Sequence, residues 1–190
     1  MTRVVETIDR GLAKVETVFL AFVVGLMVLL AFIEVVLKLA GAGVPQLAQF
    51  NRYLVIWVGF LGGAVASYQA RHINIDIVTR FLSGDRARRA VAMTVNLAGF
   101  LLTLMFLRVS LSYVSDMIDG DKIAFRWRLL GVDVAFRDWW FSVIIPVGLG
   151  LMGWHFLARL LYAAVGFDPG DRSARAPTAE ALAETEGGAQ

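Results

Sequence analysis

Hydrophobic positions along this chain fall into four long uncharged runs joined by short polar stretches. The clearest run extends from Tyr53 to Ala70, inside NRYLVIWVGFLGGAVASYQARHINID (51–76), bounded by Arg52 before it and by Arg71 and His72 after it. Its eighteen residues, at a rise of about 1.5 Å each, make about 27 Å of helix, close to the hydrocarbon thickness of a bilayer. A run uncharged from Thr17 to Ile33 predicts a first span over about 15–39. The second is placed at about 52–70, the third at about 90–115 (uncharged from Ala90 until Arg108), and the fourth at about 139–160. Pro146 is the one helix-breaker of the fourth, tolerable where neighbours satisfy the freed carbonyl. The pattern predicts an all-α membrane protein with a four-helix domain over 15–165.

The connecting stretches carry their own patterns. In the lead-in, 1–14, Val4, Val5, Ile8 and Leu12 recur at helical spacing and Val15 continues them, whereas Arg3, Glu6, Asp9, Arg10 and Lys14 fall largely elsewhere on the wheel. This predicts an N-terminal amphipathic helix lying on the membrane. The apolar run after it is longer than a signal-peptide core, and Glu34 and Lys38 separate it from the small residues Ala40-Gly41-Ala42, so it reads as an uncleaved anchor. Residues 41–49 read as a short turn. After the second span Ile73, Ile77, Phe81 and Leu82 share a face, and Ser83-Gly84-Asp85 breaks the pattern. The loop 116–138, with aspartates at 116, 119, 121, 133 and 138, reads as a short helix or hairpin at the interface. The tail, 166–190, has no apolar face and reads as disordered.

Composition strengthens this picture. The 190 residues are 58% hydrophobic and 18% charged, against roughly 25% charged for a soluble domain. There is no cysteine, which removes disulfides, thiol nucleophiles and cysteine metal sites. A net charge of +2, scattered along the chain, gives no nucleic-acid footprint. Basic residues set the orientation. With the N-terminus inside, the inner side holds Arg3, Arg10, Lys14, Arg71, Arg80, Arg86, Arg88, Arg89, Arg159, Arg172 and Arg175, and the outer side Lys38, Arg52, Lys122, Arg126, Arg128 and Arg137. Eleven against six predicts both termini cytoplasmic. Arg80, Arg86, Arg88 and Arg89 would then meet anionic lipid headgroups.

No reaction centre emerges. His155, beside Trp154 and Arg159, reads as an interfacial hydrogen-bonding residue, and His72 with Asp76 supplies two ligands without a third. A membrane cytochrome would need paired axial histidines at membrane depth. No phosphate loop, nucleophile motif or carboxylate pair is apparent, and no cofactor is expected. Glu34 and Lys38 are spaced for an ion pair along one helix, and Arg108 lies at comparable depth in span three. Pairing of Glu34 with Arg108 or Lys38 would lock spans one and three; the alternative is that each charge reaches the headgroups separately. In span two, Gly59, Gly63 and Ser67 recur every fourth residue beside a row of Gly62, Ala66 and Ala70, a pattern that lets a second helix approach closely.

FLGGAVASYQARHINID, a Gly-Gly-Ala helix ending in a His-Ile-x-Ile-Asp turn, resembles the small membrane subunit of TRAP transporters, the DctQ-like family. WWFSVIIPVGLGLM in span four is similar to that family's aromatic-then-Ile-Pro-x-Gly pattern, and the resemblance covers nearly all of 15–165. Gln49-Phe50-Asn51, where family members often carry a glutamate, and the long 116–138 loop depart from it. The resemblance implies a non-catalytic small permease subunit in the bacterial inner membrane. Its partners would be a large polytopic membrane subunit and a periplasmic substrate-binding protein, in ion-gradient-driven symport of an organic acid, commonly a carboxylate. On that reading Arg52, Gly59, Gly63, Ser67, Arg71, His72 and Asp76 form the helix-packing and partner interface, and Arg126, Trp127 and Arg128 a docking surface for the binding protein. The chain's few expected buried polar groups, and the lack of a broken-helix pair, fit a scaffold better than a substrate site. Two other classes stand beside it: a stand-alone four-span exporter using Glu34, and a membrane anchor of a redox complex.

Overall fold

The computed structural model describes residues 2–81, 85–129 and 132–165; of these, the side chains of 2, 3, 70–81, 85, 88, 128, 129 and 132 fall outside the description, as does the tail at 166–190. The elements in chain order are α1 (Thr2–Leu39), α2 (Pro45–Phe81), α3 (Asp85–Asp119), β1 (Ile123–Leu129), β2 (Val132–Arg137), α4 (Asp138–Ser142) and α5 (Ile144–Val165). Four stretches are long and apolar enough to cross a membrane: Val4–Leu39, Pro45–Gln69, Arg89–Asp119 and Asp138–Val165. Helix α5 is the hub. It packs along α3 on one side and α2 on another, and α1 lies chiefly on α2.

The lead-in and the first span are one unbroken helix of 38 residues, about 57 Å long at helical rise and so longer than the hydrocarbon core. Its most protected positions are Glu6, Asp9, Ala13, Glu16, Leu20, Val23, Met27, Leu30, Glu34 and Leu37. These alternate three and four residues apart, the 3.5-residue seam of a helix laid along a partner at a shallow left-handed angle. All the acids of α1 sit on this seam, and Arg10, Lys14 and Lys38 lie outside it. Val4, Ile8 and Val15 point outward, as an interfacial helix would place them. The polar face of the lead-in, however, meets protein instead of water.

Local chemistry explains the ends. Helix α1 stops in a Schellman motif: the Ala42 amide bonds the Leu37 carbonyl at 2.9 Å and the Gly41 amide the Lys38 carbonyl at 3.1 Å. Gly41 takes φ +74° there, which glycine adopts without a Cβ penalty. Helix α2 then opens on Pro45, whose fixed φ and missing amide suit a first helical turn, so the stretch read as a turn through Gln49 is already helix. The fourth span is broken at Val143 between α4 and α5. Pro146 accounts for this, because its ring displaces the bond that the Ser142 carbonyl would otherwise receive.

The 116–138 loop resolves as an antiparallel hairpin, with Trp127 opposite Val134 and Arg126 opposite Ala135. Its base is tied by the Asp138 amide to the Lys122 carbonyl at 3.0 Å and by Arg137 to Asp121 at 3.1 Å. Phe125 and Phe141 are buried under it, 5.8 Å apart, with Tyr53 stacked on Phe141 at 4.4 Å. Beneath this cap Val23, Leu54, Leu61 and Ile144 form the apolar core.

Glycines set how closely α2 and α5 approach. A Cβ on Gly148 would lie 2.7 Å from Phe60 Cβ and 3.2 Å from its backbone, whereas one on Gly63 would meet the terminal methyl of Met152, and one on Gly59 nothing within 4 Å. Gly148→Ala is therefore expected to separate two backbones and lower stability by about 1–3 kcal/mol, the range for overpacked cores. Gly63→Ala should be milder because a flexible methionine end can move, and Gly59→Ala should be silent in the isolated chain. Thermal unfolding in detergent orders the three; equal midpoints would show that α2 and α5 do not pack this way.

Candidate functional site

At the end of the bundle remote from the hairpin, the seam of α1 brings two carboxylates onto α5. Asp9 and Glu16 are seven residues apart, two turns of one helix face, and both face His155, about 25 Å along the fourth span from Asp138. The Nδ1 atom of His155 lies 2.7 Å from Asp9 Oδ1, and Nε2 lies 3.1 Å from Glu16 Oε2. All three side chains are nearly sealed, at 1% exposure for His155 and 3% for each acid. The Tyr68 ring of α2 packs 5.4 Å from the imidazole. One turn further along α5, Arg159 is buried with its guanidinium 5.5 Å from the centre of the Phe156 ring. Next to the cluster on α1, Glu6 accepts a bond from Arg10 at 2.7 Å.

Hydrogen-bond accounting limits the protonation of this cluster. An ionised carboxylate only accepts, so two bonds from opposite edges of one ring require two hydrogens among the three groups. With both acids ionised, the ring is an imidazolium donating from each nitrogen. Histidine tautomers cannot be told apart by heavy-atom positions, but this count holds for either assignment of the ring. In lipid such a group has no water to turn to, which is why intramembrane ionisable residues face the bundle interior and pair there.

The reading of His155 as a hydrogen-bonding residue holds, with two carboxylates as its partners, and the reading that no carboxylate pair is present is corrected here. The missed signal was the register. Asp9 and Glu16 are in phase with Ala13, Leu20 and Val23, so the acids belong to the same packed seam as the apolar residues. The expectation of few buried polar groups fails at the same place, since Glu6, Asp9, Glu16, His155 and Arg159 are all buried.

The hairpin end holds the other polar features. Lys38 donates to Glu34 within α1. Glu34 makes no pair with Arg108, and α3 packs on α5 away from α1, so the lock between spans one and three is not formed. Glu34, Lys38, Gln49 and Arg52 line an open cleft of about 420 Å³ between the end of α1 and the start of α2. From α2, Gln49 donates to the Ala124 carbonyl at 2.7 Å and Trp57 to the Phe141 carbonyl at 2.9 Å, while Tyr53 donates to the Asp138 carboxylate.

The small residues of α2 do not divide by row, because Gly59 and Gly63, four residues apart in one row, meet different surroundings. Gly63 is occupied by Met152 of the same chain, and Ser67 is half-buried. Gly59 and Ala66 are exposed together with Arg52, Val55 and Ile56, and Gly62, like Gly59, has open space where a Cβ would stand. Arg86, Arg89 and Arg126 are exposed, and Trp127 is half-buried with its ring 6.4 Å from Phe125. The side chains of Arg71, His72, Asp76, Arg80, Arg88 and Arg128 fall outside the described set, although helix α2 continues through 71–80.

Comparison with known proteins adds a family. Residues 27–166 match the family described as tripartite ATP-independent periplasmic transporters, DctQ component. The chain is also 28% identical over 152 residues to the ectoine TRAP transporter small permease protein TeaB of Halomonas elongata, covering 80% of this chain and 75% of that one. The matched stretch begins at Met27, so it contains His155 but neither Asp9 nor Glu16.

Removing the ring while keeping the acids should be severe. His155→Leu leaves two carboxylates facing an apolar gap, and breaking a buried ion pair on one side costs about 3–5 kcal/mol. Thermal unfolding of the purified variant in mild detergent tests this; an unchanged midpoint would mean that the three groups are not coupled.

Proposed function

This chain belongs to the DctQ component family of tripartite ATP-independent periplasmic transporters and is a multi-pass membrane protein of that transport system; from this premise we propose that it braces a large polytopic transport subunit. The observation that carries the reading is the outward face of α2. Val55, Ile56, Gly59 and Ala66 form an exposed uncharged strip, with open space at Gly59 and Gly62, on the side of the helix turned away from Met152. Lipid wets an apolar strip as well as protein does, so the favourable use of glycine here is close backbone approach by another helix. Gly63 is already met by α5, and Gly59, Gly62 and Ala66 are left for a partner.

The remainder of the reading follows from this role. Both termini face the cytoplasm of a bacterial inner membrane, which places the hairpin on the periplasmic side. Arg126 and Trp127, with Arg128 beside them, then offer a basic and aromatic face to a periplasmic binding protein. Transport is symport driven by an ion gradient, with a small organic acid as solute. The relative from Halomonas elongata is named for ectoine, and the solute of the present system is set by the larger subunit and the binding protein. Arg80, Arg86, Arg88 and Arg89 anchor the cytoplasmic side in anionic lipid.

The alternatives draw less support. An exporter using Glu34 would need a carboxylate at mid-membrane, whereas Glu34 is engaged by Lys38 at the hairpin end of α1. A haem anchor would need a histidine nitrogen free to ligate, and both nitrogens of His155 face carboxylates.

Co-expression with the large subunit and mild-detergent affinity purification tests the brace. Gly59→Leu is expected to lower recovery of the large subunit at least tenfold while leaving this chain's own yield and unfolding midpoint unchanged. Undiminished recovery would remove the α2 face from the interface, and absence of any large partner in the wild-type preparation would remove the bracing role. For the hairpin, Arg126→Glu should reduce uptake in proteoliposomes containing all three components without reducing complex yield; normal uptake would exclude that surface.

A further inference from the structure

The first two spans meet at one level, where Val4–Leu39 ends and Pro45–Gln69 begins. Beside that junction the Tyr53 hydroxyl meets Asp138 at the start of the fourth span, so this level is the edge of the hydrocarbon on the hairpin side. The open cleft of about 420 Å³ between α1 and α2 lies at this edge. Its charged lining is Glu34 and Lys38 from α1 and Arg52 from α2. Lys38 is tied to Glu34, and its aliphatic stem crosses Gly43, where a Cβ would lie 3.7 Å from Lys38 Cγ. Arg52 is exposed and, among the described residues, makes no hydrogen bond or ion pair. Two cations against one acid leave the cleft with a net positive charge at the border of a low-dielectric phase, where a counter-charge is held more strongly than in water. One turn deeper, Val35 of α1 and Val55 of α2 are exposed and apolar.

We propose that this cleft binds the phosphodiester of a monoanionic phospholipid, of the phosphatidylglycerol class, in the hairpin-side leaflet. The guanidinium of Arg52 presents paired donors that match two phosphate oxygens, and Lys38 keeps donors beyond the one given to Glu34. The bond to Glu34 also holds Lys38 at the rim, which lowers the ordering cost of binding. One phosphodiester charge cancels the net charge of the lining. The apolar half of the ligand separates the two sources of phosphate: a free ion meets only the charged rim, whereas acyl chains also cover Val35 and Val55 beneath it. An amine-bearing headgroup would bring a second cation to compete with Lys38 for Glu34, so a zwitterionic lipid fits less well. The site uses α1 and α2 alone and stands whether or not α2 braces a larger subunit.

Native mass spectrometry of the full chain tests this, after incubation in mild detergent with equal amounts of phosphatidylglycerol and phosphatidylcholine of matched acyl chains. The wild type is expected to retain one phosphatidylglycerol, preferred over phosphatidylcholine by about fivefold, the worth of one cation at a lipid surface. Arg52→Gln should abolish that preference, whereas Arg126→Gln, the same charge change on the hairpin, should keep it. Ala48→Phe should abolish it as well, because the new ring occupies the cleft with every charge in place. Absence of the preference in the wild type, its survival in either cleft variant, or its loss in Arg126→Gln would overturn the site. Inorganic phosphate in millimolar excess should leave the bound lipid in place; displacement would overturn the lipid as ligand and assign the cleft to free phosphate. Should Arg52→Gln fail to fold, Ala48→Phe carries the test.

Discussion

A polar group inside a bilayer must find its partner within the protein. That constraint accounts for the faces of every helix in this structure. The four acids of α1 turn inward while valine, phenylalanine and leucine side chains along the span are exposed, the reverse of a helix packed in water, and Arg10, Lys14 and Lys38 lie outside the seam towards its ends. Ser142 and Thr103 return their hydroxyls to carbonyls one turn back, and the Trp57 indole finds the Phe141 carbonyl. His155 meets the same constraint across helices, and it ties α5 to α1 at the end remote from the hairpin.

The two ends are held by different physics. At the hairpin end, aromatic rings from α2, β1, β2 and α4 stack around Phe141, while bonds from Gln49, Tyr53 and Trp57 fix α2 to the hairpin and to the start of the fourth span. That cap buries apolar rings. The opposite end relies on charge. Between them, Gly148 against Phe60 and Gly63 against Met152 set the approach of α2 to α5, and Gly99 against Phe156 that of α3. A bundle fastened at both ends and close-packed between suits the bracing role proposed above. Gly59 and Gly62 keep open space on the outward face of α2.

Much of this was legible in the sequence, because the bilayer imposes lengths that a linear pattern can satisfy. The four spans, the turn after Leu39 and the small-residue rows follow from local composition, and the family resemblance rests on two short motifs. Each depends on residues close together in the chain: an uncharged run, a glycine past a helix end, a proline that cannot continue a ladder. The i, i+4 spacing of Glu34 and Lys38 needed no tertiary information either, since both residues lie on one helix.

What only the tertiary structure decided is which helix faces which. Arg108 seemed a partner for Glu34 because the two lie at similar depth, but depth says nothing of neighbours, and α3 packs against α5 instead. Gly59 and Gly63 share one row in the sequence, and only the packing separates them, with Met152 against Gly63 and open space beside Gly59. Asp9 and Glu16 each lie more than a hundred residues of chain from His155, and polar residues in a lead-in look the same whether water or protein lies beside them. The sequence by itself determined a four-span membrane subunit with a face for close packing. The buried histidine between two acids came from the packing of α1 on α5, because a long-range charge contact leaves no periodic mark on either segment alone.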